Sequence, residues 1–410
     1  MRRSLLAAAL LVLGAALVMG QGKVTLKVFW YSPELIDQYT DMAKQYQAET
    51  GNTLDITVNQ AEYPALLRAK INSGDIPDIF MSSAYADNST YKDYYYDLTD
   101  LDIMKNLEPS ALAGVTVDGR ITGYPFLVQS HSFIYNKAVF KAAGITTLPR
   151  TLSEYDAVAK KLQARGIQPF ATGYKEWWVF PQTAWQVLAS VPESYGGYAA
   201  FVAKLNDGSL KFKSIKEMST VFDVLDLIKK YGGPKPMESD FNDQCSLLAT
   251  GKVGIAHQGN WAEGSILKTN PGAQIGFLLG PVAGPASKAG IMYDSNQTIR
   301  IAKEGQVEAS LAWLRWLTTS AYGKAWIPGK IQQMSPIRGA KAPTAQLAQA
   351  TVALLGAKTP SYPWYYQMFP TGLEQGLGLI LQGYSAGQTN RAQTLDALDA
   401  SYTKIVNASK

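Results

Sequence analysis

Strand-like and helix-like segments alternate along the first eighty residues, and this alternation constrains the fold most strongly. Residues 24–30 are rich in β-branched and aromatic side chains, and apolar residues then recur at helical spacing over 35–46. A second alternating pattern, over 54–58, predicts another strand. Helical spacing over 63–71 predicts a short helix, and the apolar residues 79–81 predict a third strand. Because parallel strands need crossover connections, this order predicts an α/β fold with a mainly parallel sheet flanked by helices.

The same kinds of pattern return downstream. Thr151 and Glu154 have the spacing of a capping box before an amphipathic helix, and Ser32 with Pro33 is expected to begin the first helix of the chain. About 390 residues follow the N-terminal segment, which exceeds what a single core usually accommodates. We therefore expect two α/β lobes.

The N-terminus has the features of an export signal. Arg2 and Arg3 precede an apolar run over 5–18, with small residues near Gly20. The run is shorter than the roughly 20 residues that a membrane span needs. Residues 1–20 are therefore predicted to be a cleaved signal peptide, with an uncleaved anchor as the alternative. No cysteine lies near the cleavage point, so we expect a periplasmic or extracellular protein that is not a lipoprotein.

Composition excludes several classes of function. The formal charge of +5 falls to +3 without Arg2 and Arg3, which is too mild for a nucleic-acid scaffold. Cys245 is the single cysteine and there are only two histidines, so we expect neither a disulfide framework nor a metal or other cofactor. Phosphate-loop, dinucleotide and nucleophile-elbow motifs are missing from the sequence. We expect no enzyme, although two carboxylates facing a cleft leave a secreted carbohydrate-active enzyme open.

Five short motifs follow one another in a recognisable order. They include the segment from Ser73 to Phe80, Ser-Gly-Asp-Ile-Pro-Asp-Ile-Phe, within 63–80, and further segments at 123–125, 134–145, 149–154 and 251–261. In this order they resemble the extracellular solute-binding proteins of ABC importers, of the carbohydrate-binding, maltodextrin-binding-protein type. The resemblance covers the chain from about Lys23 to Lys410.

The resemblance implies a two-lobed periplasmic-binding-protein fold with the ligand in a cleft between the lobes. It implies an N-terminal lobe of residues 21–128 plus 291–334 and a C-terminal lobe of residues 129–290 plus 335–410. It further implies a monomer that captures a sugar or oligosaccharide with high affinity, closes about a hinge and delivers the ligand to a membrane permease.

The resemblance also places candidate ligand-binding residues at the strand ends of the first lobe. Tyr31 and Glu34 follow the first strand, although Glu34 is equally explained as a favourable charge at a helix N-terminus. Ser83 and Tyr85 follow the third strand, where the family often has a hydroxyl-binding acid. The nearest acid here, Asp87, comes only further along. This departure argues for a ligand other than maltodextrin.

The second lobe supplies the aromatic candidates. Trp261 matches the family's stacking tryptophan, and Gln129 stands where maltodextrin-binding proteins carry a sugar-binding acid. One of Trp177 and Trp178 is expected to face the ligand while the other packs inward. The remaining candidates are His131, although a lone histidine is more often a core or hinge residue, Asn260, Tyr293 and Asp294 on a crossing segment, and Trp364 and Tyr366 in an aromatic loop.

Aromatic plates and polar edges are the chemistry that a sugar requires. Burying about 60 Å² of C–H face on a ring contributes roughly 1.5 kcal/mol at about 25 cal/mol per Å². Two non-sugar ligands remain as alternatives. Tyr365-Tyr366 with His131 or Glu34 resembles a ferric-ion site, and a small organic amine would need more cleft acids than the sequence places there.

Overall fold

The computed structural model describes residues 23–59 and 62–408, so the predicted signal peptide lies outside the described residues. The strands are β1 Thr25–Trp30, β2 Thr53–Val58, β3 Ile79–Ser83, β4 Thr116–Val117, β5 Arg120–Ile121, β6 Tyr124–Asn136, β7 Gln168–Ala171, β8 Val253–Gly259, β9 Ile275–Leu278, β10 Ile291–Ile301 and β11 Ser361–Tyr362. The α-helices are α1 Ile36–Thr50, α2 Tyr63–Ser73, α3 Ala86–Thr90, α4 Pro109–Ala113, α5 Lys137–Ala142, α6 Leu152–Gln163, α7 Val179–Val187, α8 Tyr198–Asn206, α9 Met218–Lys230, α10 Phe241–Ala249, α11 Ala262–Thr269, α12 Val307–Thr319, α13 Ala321–Ala325, α14 Gln346–Gly356, α15 Leu373–Ser385 and α16 Arg391–Ala408. None of the helices in the described part of the chain has the length and hydropathy required to cross a bilayer.

Among the described residues, seven strands form a continuous path in the order β2-β1-β3-β10-β6-β8-β7, to which β9 is added through β6 and β11 through β10, while β4 and β5 form a separate two-stranded sheet. The predicted β-α-β-α-β start is confirmed, because β1 pairs in parallel with both β2 and β3. The long strands β6 and β10 run antiparallel to each other, and each also pairs antiparallel with a further neighbour. The α/β class is therefore confirmed, and the two long strands make the sheet mixed.

Two separate hydrophobic cores divide the structure into lobes. One core uses residues between 26 and 127 and between 299 and 331, and the larger one uses residues between 133 and 292 and between 362 and 406. β6 and β10 each contribute residues to both cores, so both strands pass from one lobe to the other. At a third crossing the backbone of Val128 pairs with that of Met334. The two-lobed fold is confirmed, while the exact lobe boundaries stay a prediction.

The two predicted helix starts have different outcomes. Thr151 and Glu154 form the predicted capping box, with reciprocal side-chain to backbone hydrogen bonds. The prediction that Ser32 caps the first helix is wrong. Ser32 has a φ of 74° and makes no capping bond, and a short 3₁₀ turn over Pro33–Leu35 precedes α1. The Ser32 hydroxyl instead contacts the amide nitrogen of Gln297 at 3.1 Å. This turn directs the loop after β1 toward the space between the lobes.

A fully buried arginine supports the end of β3 in the first lobe. Arg300 lies on β10, and its guanidinium stacks on the ring of Tyr95 at 4.3 Å. It donates only to uncharged acceptors: the Ser82 and Thr122 hydroxyls at 2.8 Å, the Ser83 carbonyl at 3.0 Å and the Asn88 side-chain oxygen at 2.5 Å. Because guanidinium offers five donors in a rigid fork, one side chain holds together the segments that border the cleft.

Candidate ligand-binding cleft

A cavity of about 230 Å³ lies between the lobes and is lined from both sides. The first lobe contributes Tyr31, Ser32, Glu34, Tyr63, Pro64, Leu67, Ser82, Ser83, Asp87, Tyr91 and Gln297. The second lobe and the crossing segments contribute Gln129, Trp177, Trp178, Gln182, Phe241, Trp261, Trp364, Gln367, Thr371, Gly372, Glu374 and Gln375. Concave sites with aromatic walls and a few polar groups are typical of small-molecule binding.

Two adjacent tryptophans form one wall of this cavity. Trp177 and Trp178 precede α7, and both are half-buried and line the space. Trp178 also packs against the core of the second lobe, as expected for one of the pair, but its ring still reaches the cavity. The Trp178 ring nitrogen donates to Glu176 at 3.2 Å, and its ring lies 6.1 Å from that of Phe241 on α10. These contacts orient the ring while leaving part of it accessible.

Trp261 follows β8 and lies against the end of that strand. Its ring nitrogen donates to the Gln258 side-chain oxygen at 2.9 Å. A Cβ atom at Gly259 would lie only 2.0 Å from the indole, so glycine is required for this close approach. The ring is half-buried and lines the cavity. Its position is thus set by local contacts that leave one part of the ring facing the cavity.

Trp364 belongs to a packed aromatic group at the bottom of the cleft. Its ring centroid lies 5.9 Å from that of Trp261, and Tyr366 stacks against it at 6.1 Å with an interplanar angle of 22°. His131 contacts Trp364 edge-on at 4.9 Å and is fully buried, with both ring nitrogens lacking a partner among the described residues. Burial holds the pKa of His131 well below its usual value, so the ring is neutral.

Tyr31 forms part of the opposite wall, in the first lobe. Its ring meets that of Tyr63 edge-on at 5.0 Å, and the Tyr63 hydroxyl contacts the backbone of Phe29 and Met81. These two backbone contacts join β1 to β3 directly beneath the cavity. Burial raises the pKa of the Tyr31 hydroxyl, which therefore stays protonated and able to donate a hydrogen bond.

Gln129 lies where β6 crosses between the lobes. The side chain is buried, lines the cavity and donates to the side-chain oxygen of Gln333 at 2.9 Å. Ser83 also lines the cavity, and its backbone N–H donates to the Asp87 carboxylate at 2.9 Å. Both of these residues, which the sequence analysis assigned to the ligand, therefore line the cavity.

Six predicted residues are absent from the cavity lining. The Tyr85 hydroxyl donates to the Asp294 carboxylate at 3.0 Å, and the same carboxylate accepts from the backbone N–H of Trp364 at 3.1 Å. The Asn260 side-chain oxygen accepts from the Ser130 backbone at 3.2 Å. These contacts position the aromatic residues. The six residues absent from the lining are Tyr85, His131, Asn260, Tyr293, Asp294 and Tyr366.

Three carboxyl groups line the cavity. Burial raises the pKa of Glu34 from 4.5 to about 7. Burial together with the nearby charge of Asp87 raises the pKa of Glu374 from 4.5 to about 7. Burial also raises the pKa of Asp87, whose carboxylate accepts from the Thr371 hydroxyl at 2.8 Å. Because Asp87 belongs to the first lobe and Thr371 to the second, this hydrogen bond joins the lobes across the cleft.

Sequence reasoning missed several residues of this lining. Glu374 and Thr371 border the start of α15, and Phe241 begins α10. Three glutamines, Gln182, Gln297 and Gln367, were missed as well. The only sequence signal for Glu374 is an acid in the first turn of a helix that follows the aromatic loop. Such an acid is common at helix starts, so the signal carries little information about a ligand.

Replacing Glu34 by glutamine is expected to stabilise the free protein at pH 8 by about 2 kcal/mol more than at pH 5. The folded-state pKa of Glu34 is raised, so the folded protein keeps a proton that the unfolded chain releases between pH 4.5 and 7. Each unit of pKa difference corresponds to 1.36 kcal/mol, so this carboxyl lowers stability as the pH rises through that window and remains unfavourable above pH 7.

Urea unfolding of both proteins at pH 5 and pH 8 measures this difference. Burial lowers the pKa values of His131 and His257, which makes the protein less stable below about pH 6.5. Both proteins contain these histidines, so that opposite contribution cancels. Equal effects of Glu34→Gln at the two pH values would contradict the prediction.

The tandem tyrosines do not face the cavity together as iron ligands would. The Tyr365 hydroxyl donates to the backbone oxygen of Trp185 at 3.1 Å, and Tyr366 stacks behind Trp364. Across residues 23–59 and 62–408, no group of three histidine, cysteine, aspartate or glutamate side chains has the arrangement of a metal site. The positions of the two rings favour an organic ligand over a ferric ion.

Comparison with known proteins agrees with this geometry. The family model described as bacterial extracellular solute-binding protein matches residues 32–324. A maltotriose-binding protein of Pyrococcus abyssi is 24% identical over 254 residues, which is 60% of this chain and 51% of that protein. The chain spans about half the length of the curated relatives it matches at this level.

Solved structures share the fold over nearly the whole chain. A sugar transporter protein of Bacillus licheniformis in complex with stachyose has a TM-score of 0.79 and 18% identity, covering 93% of this chain and 100% of that one. A chitin oligosaccharide binding protein has a TM-score of 0.80 and 19% identity, covering 94% and 99% of the two chains.

Proposed function

Because this chain belongs to the bacterial extracellular solute-binding proteins, we propose that it captures a sugar or oligosaccharide outside the cytoplasm and delivers it to the permease of an ABC transporter. The observation that carries the proposal is the cavity between the lobes, which has indole rings along one wall and tyrosines along the other. Relatives named for maltotriose and chitin oligosaccharide binding support the same class of ligand.

The chemistry of the lining fits a hydroxyl-rich guest. Trp177, Trp178 and Trp261 offer flat apolar faces for the C–H side of sugar rings, while Gln129 and Ser83 offer polar groups at the edge. Several such faces at roughly 1.5 kcal/mol each, with a few hydrogen bonds of about 1 kcal/mol, reach micromolar affinity, about −8 kcal/mol. The Trp364 ring nitrogen has no partner among the described residues and can serve as a further donor.

Binding is proposed to select the closed arrangement of the lobes. In the described chain, β6, β10 and the segment near Met334 pass between the lobes, so a hinge there leaves the opposite side of the cleft free to open. The hydrogen bond between Thr371 and Asp87 lies across the cleft, where closure brings the lobes together. A ligand that touches both lobes binds the closed state more tightly and shifts the equilibrium toward it.

The remaining expectations from sequence are retained as part of the proposal. The predicted signal peptide, residues 1–20, would export the chain to the periplasm or cell exterior, where it would act as a monomer. Lobes 21–128 plus 291–334 and 129–290 plus 335–410 would move relative to each other. The protein would bind its ligand without converting it, as the solute-binding family does.

A thermal-shift screen against mono- and oligosaccharides tests the proposal. A sugar present at 100 times its dissociation constant should stabilise the protein by about 2.7 kcal/mol. Small-angle X-ray scattering with the same sugar should show a smaller radius of gyration. Ferric ion and free amino acids are the controls. Stabilisation by ferric ion alone, with a visible tyrosinate absorption band, would overturn the proposal, as would sugar turnover by the purified protein.

A further inference from the structure

The cavity contains more acid than the sequence assigned to it. The sequence placed Glu34 there, and the structure adds Asp87 from the first lobe and Glu374 from the second. Asp87 and Glu374 line the same cavity, and the negative charge of Asp87 contributes to the raised pKa of Glu374. The two lobes therefore each contribute a carboxyl group to this cavity in addition to Glu34.

No positive side chain compensates these acids directly. Within the described chain, no lysine or arginine forms an ion pair with Glu34, Asp87 or Glu374. Arg300 and Arg68 act electrostatically on Asp87 and lower its pKa, but the donors of Arg300 are directed at uncharged groups. Burial of charge without a partner is unfavourable.

Three buried glutamine side chains independently indicate that the ligand carries hydrogen-bond donors. The side-chain oxygens of Gln182, Gln297 and Gln367 have no hydrogen-bond partner among the described residues. These side chains are 8%, 6% and 7% exposed, and all three line the cavity. A buried acceptor left without a donor costs about 1–3 kcal/mol. A ligand that carries several donors can therefore satisfy these acceptors in a site that three carboxyl groups also line.

Resting on the proposed function, we propose that the ligand is an amino sugar whose protonated amine faces Asp87 and Glu374. An ammonium group supplies three N–H donors and one positive charge, and it has no acceptor. A neutral sugar supplies hydroxyl donors but no positive charge that would stabilise the ionised form of these carboxyl groups. The sugar ring then occupies the aromatic walls while the amine is directed toward the acidic side.

Calorimetric titration of matched sugars tests this specificity. The probes are glucose, galactose and mannose, each compared with its 2-amino and 2-acetamido forms, and the β-1,4-linked disaccharides of glucose, glucosamine and N-acetylglucosamine. At least one amino form should bind 10-fold or more tightly than both its hydroxyl and acetamido counterparts at pH 6.5. Equal or tighter binding of the neutral forms overturns the inference but keeps the proposed function. Absence of binding by every sugar overturns both.

The variant Glu374→Gln tests where the amine of the ligand lies in the cavity. In Glu374→Gln, the ratio of amino-sugar to neutral-sugar affinity should fall at least 10-fold. Glu304→Gln, which changes an exposed acid of the first lobe outside the cavity, should leave the ratio as in the wild type. Because glutamine has nearly the same shape as glutamate, a changed ratio reports on charge rather than on packing. An unchanged ratio in Glu374→Gln overturns the proposed position of the amine.

Discussion

Replacing Trp261 by alanine is expected to raise the dissociation constant for the proposed sugar ligand about 100-fold. This corresponds to about 2.7 kcal/mol. Loss of the stacked C–H face contributes roughly 1.5 kcal/mol at about 25 cal/mol per Å². The rest is expected because the Trp364 ring, 5.9 Å away, loses its neighbour and part of its fixed orientation. Aromatic side chains that fill the centre of a binding site commonly carry effects of this size.

The fold should survive this change. Trp261 is half-buried, and its single side-chain hydrogen bond goes to Gln258. Titration calorimetry and ligand-induced thermal shifts measure the loss of binding, while the melting of the free protein reports on the fold. Trp316→Ala is the matched control, because Trp316 is also half-buried but belongs to the first lobe and contacts Glu49 outside the cavity. Similar losses of affinity in both variants would contradict the stacking role.

Replacing Arg300 by leucine is expected to lower the free energy of unfolding by about 3–5 kcal/mol, the range typical for breaking a buried charged network. The change removes the guanidinium donor from the side-chain oxygen of Asn88 and from the carbonyl of Ser83, each of which keeps one longer hydrogen bond from a hydroxyl. It also removes the guanidinium from the face of Tyr95. Because Ser82 and Ser83 border the cavity, sugar affinity should fall as well.

Urea unfolding measures the effect on stability. Arg300→Lys should fall between the wild type and Arg300→Leu, because lysine keeps the charge but lacks the planar fork that reaches several acceptors at once. Arg315→Leu alters an exposed arginine of the same lobe and should change stability by less than about 0.5 kcal/mol. Equal stabilities of Arg300→Leu and Arg315→Leu would show that the buried network contributes little.

Local sequence patterns predicted much of the fold. Thr151 and Glu154 predicted a helix start because a capping box involves only residues three apart. The alternation over 24–81 predicted three parallel-paired strands with their helices. Ser32 was misread because its side chain contacts Gln297, 265 residues away, rather than the helix that follows it. When a capping side chain bonds to a residue far along the chain instead of to its own helix, the local sequence does not indicate it.

The candidate site likewise includes residues that the sequence predicted correctly and residues that it did not. Trp261 and Trp364 stand in recognisable motifs and line the cavity, as do both Trp177 and Trp178. Tyr85 and Asp294 were assigned to the ligand, but they bond to each other and support the loop of Trp364. The sequence shows which residue type follows the end of a strand, near the cleft, but not where its side chain points. Its direction depends on neighbours from other segments.

The sequence by itself determined the secondary-structure elements, the two-lobed class and the aromatic character of the cleft, because helical and strand periodicity and motif spacing act over short distances. Only the tertiary structure added the acids Asp87 and Glu374 to the predicted Glu34 in the cleft. Asp87 meets Thr371 although 284 residues separate them, and Glu374 approaches Asp87 from the opposite lobe. Such pairs form only when two independently packed cores are brought together, so their electrostatic properties depend on three-dimensional proximity rather than on any pattern along the chain.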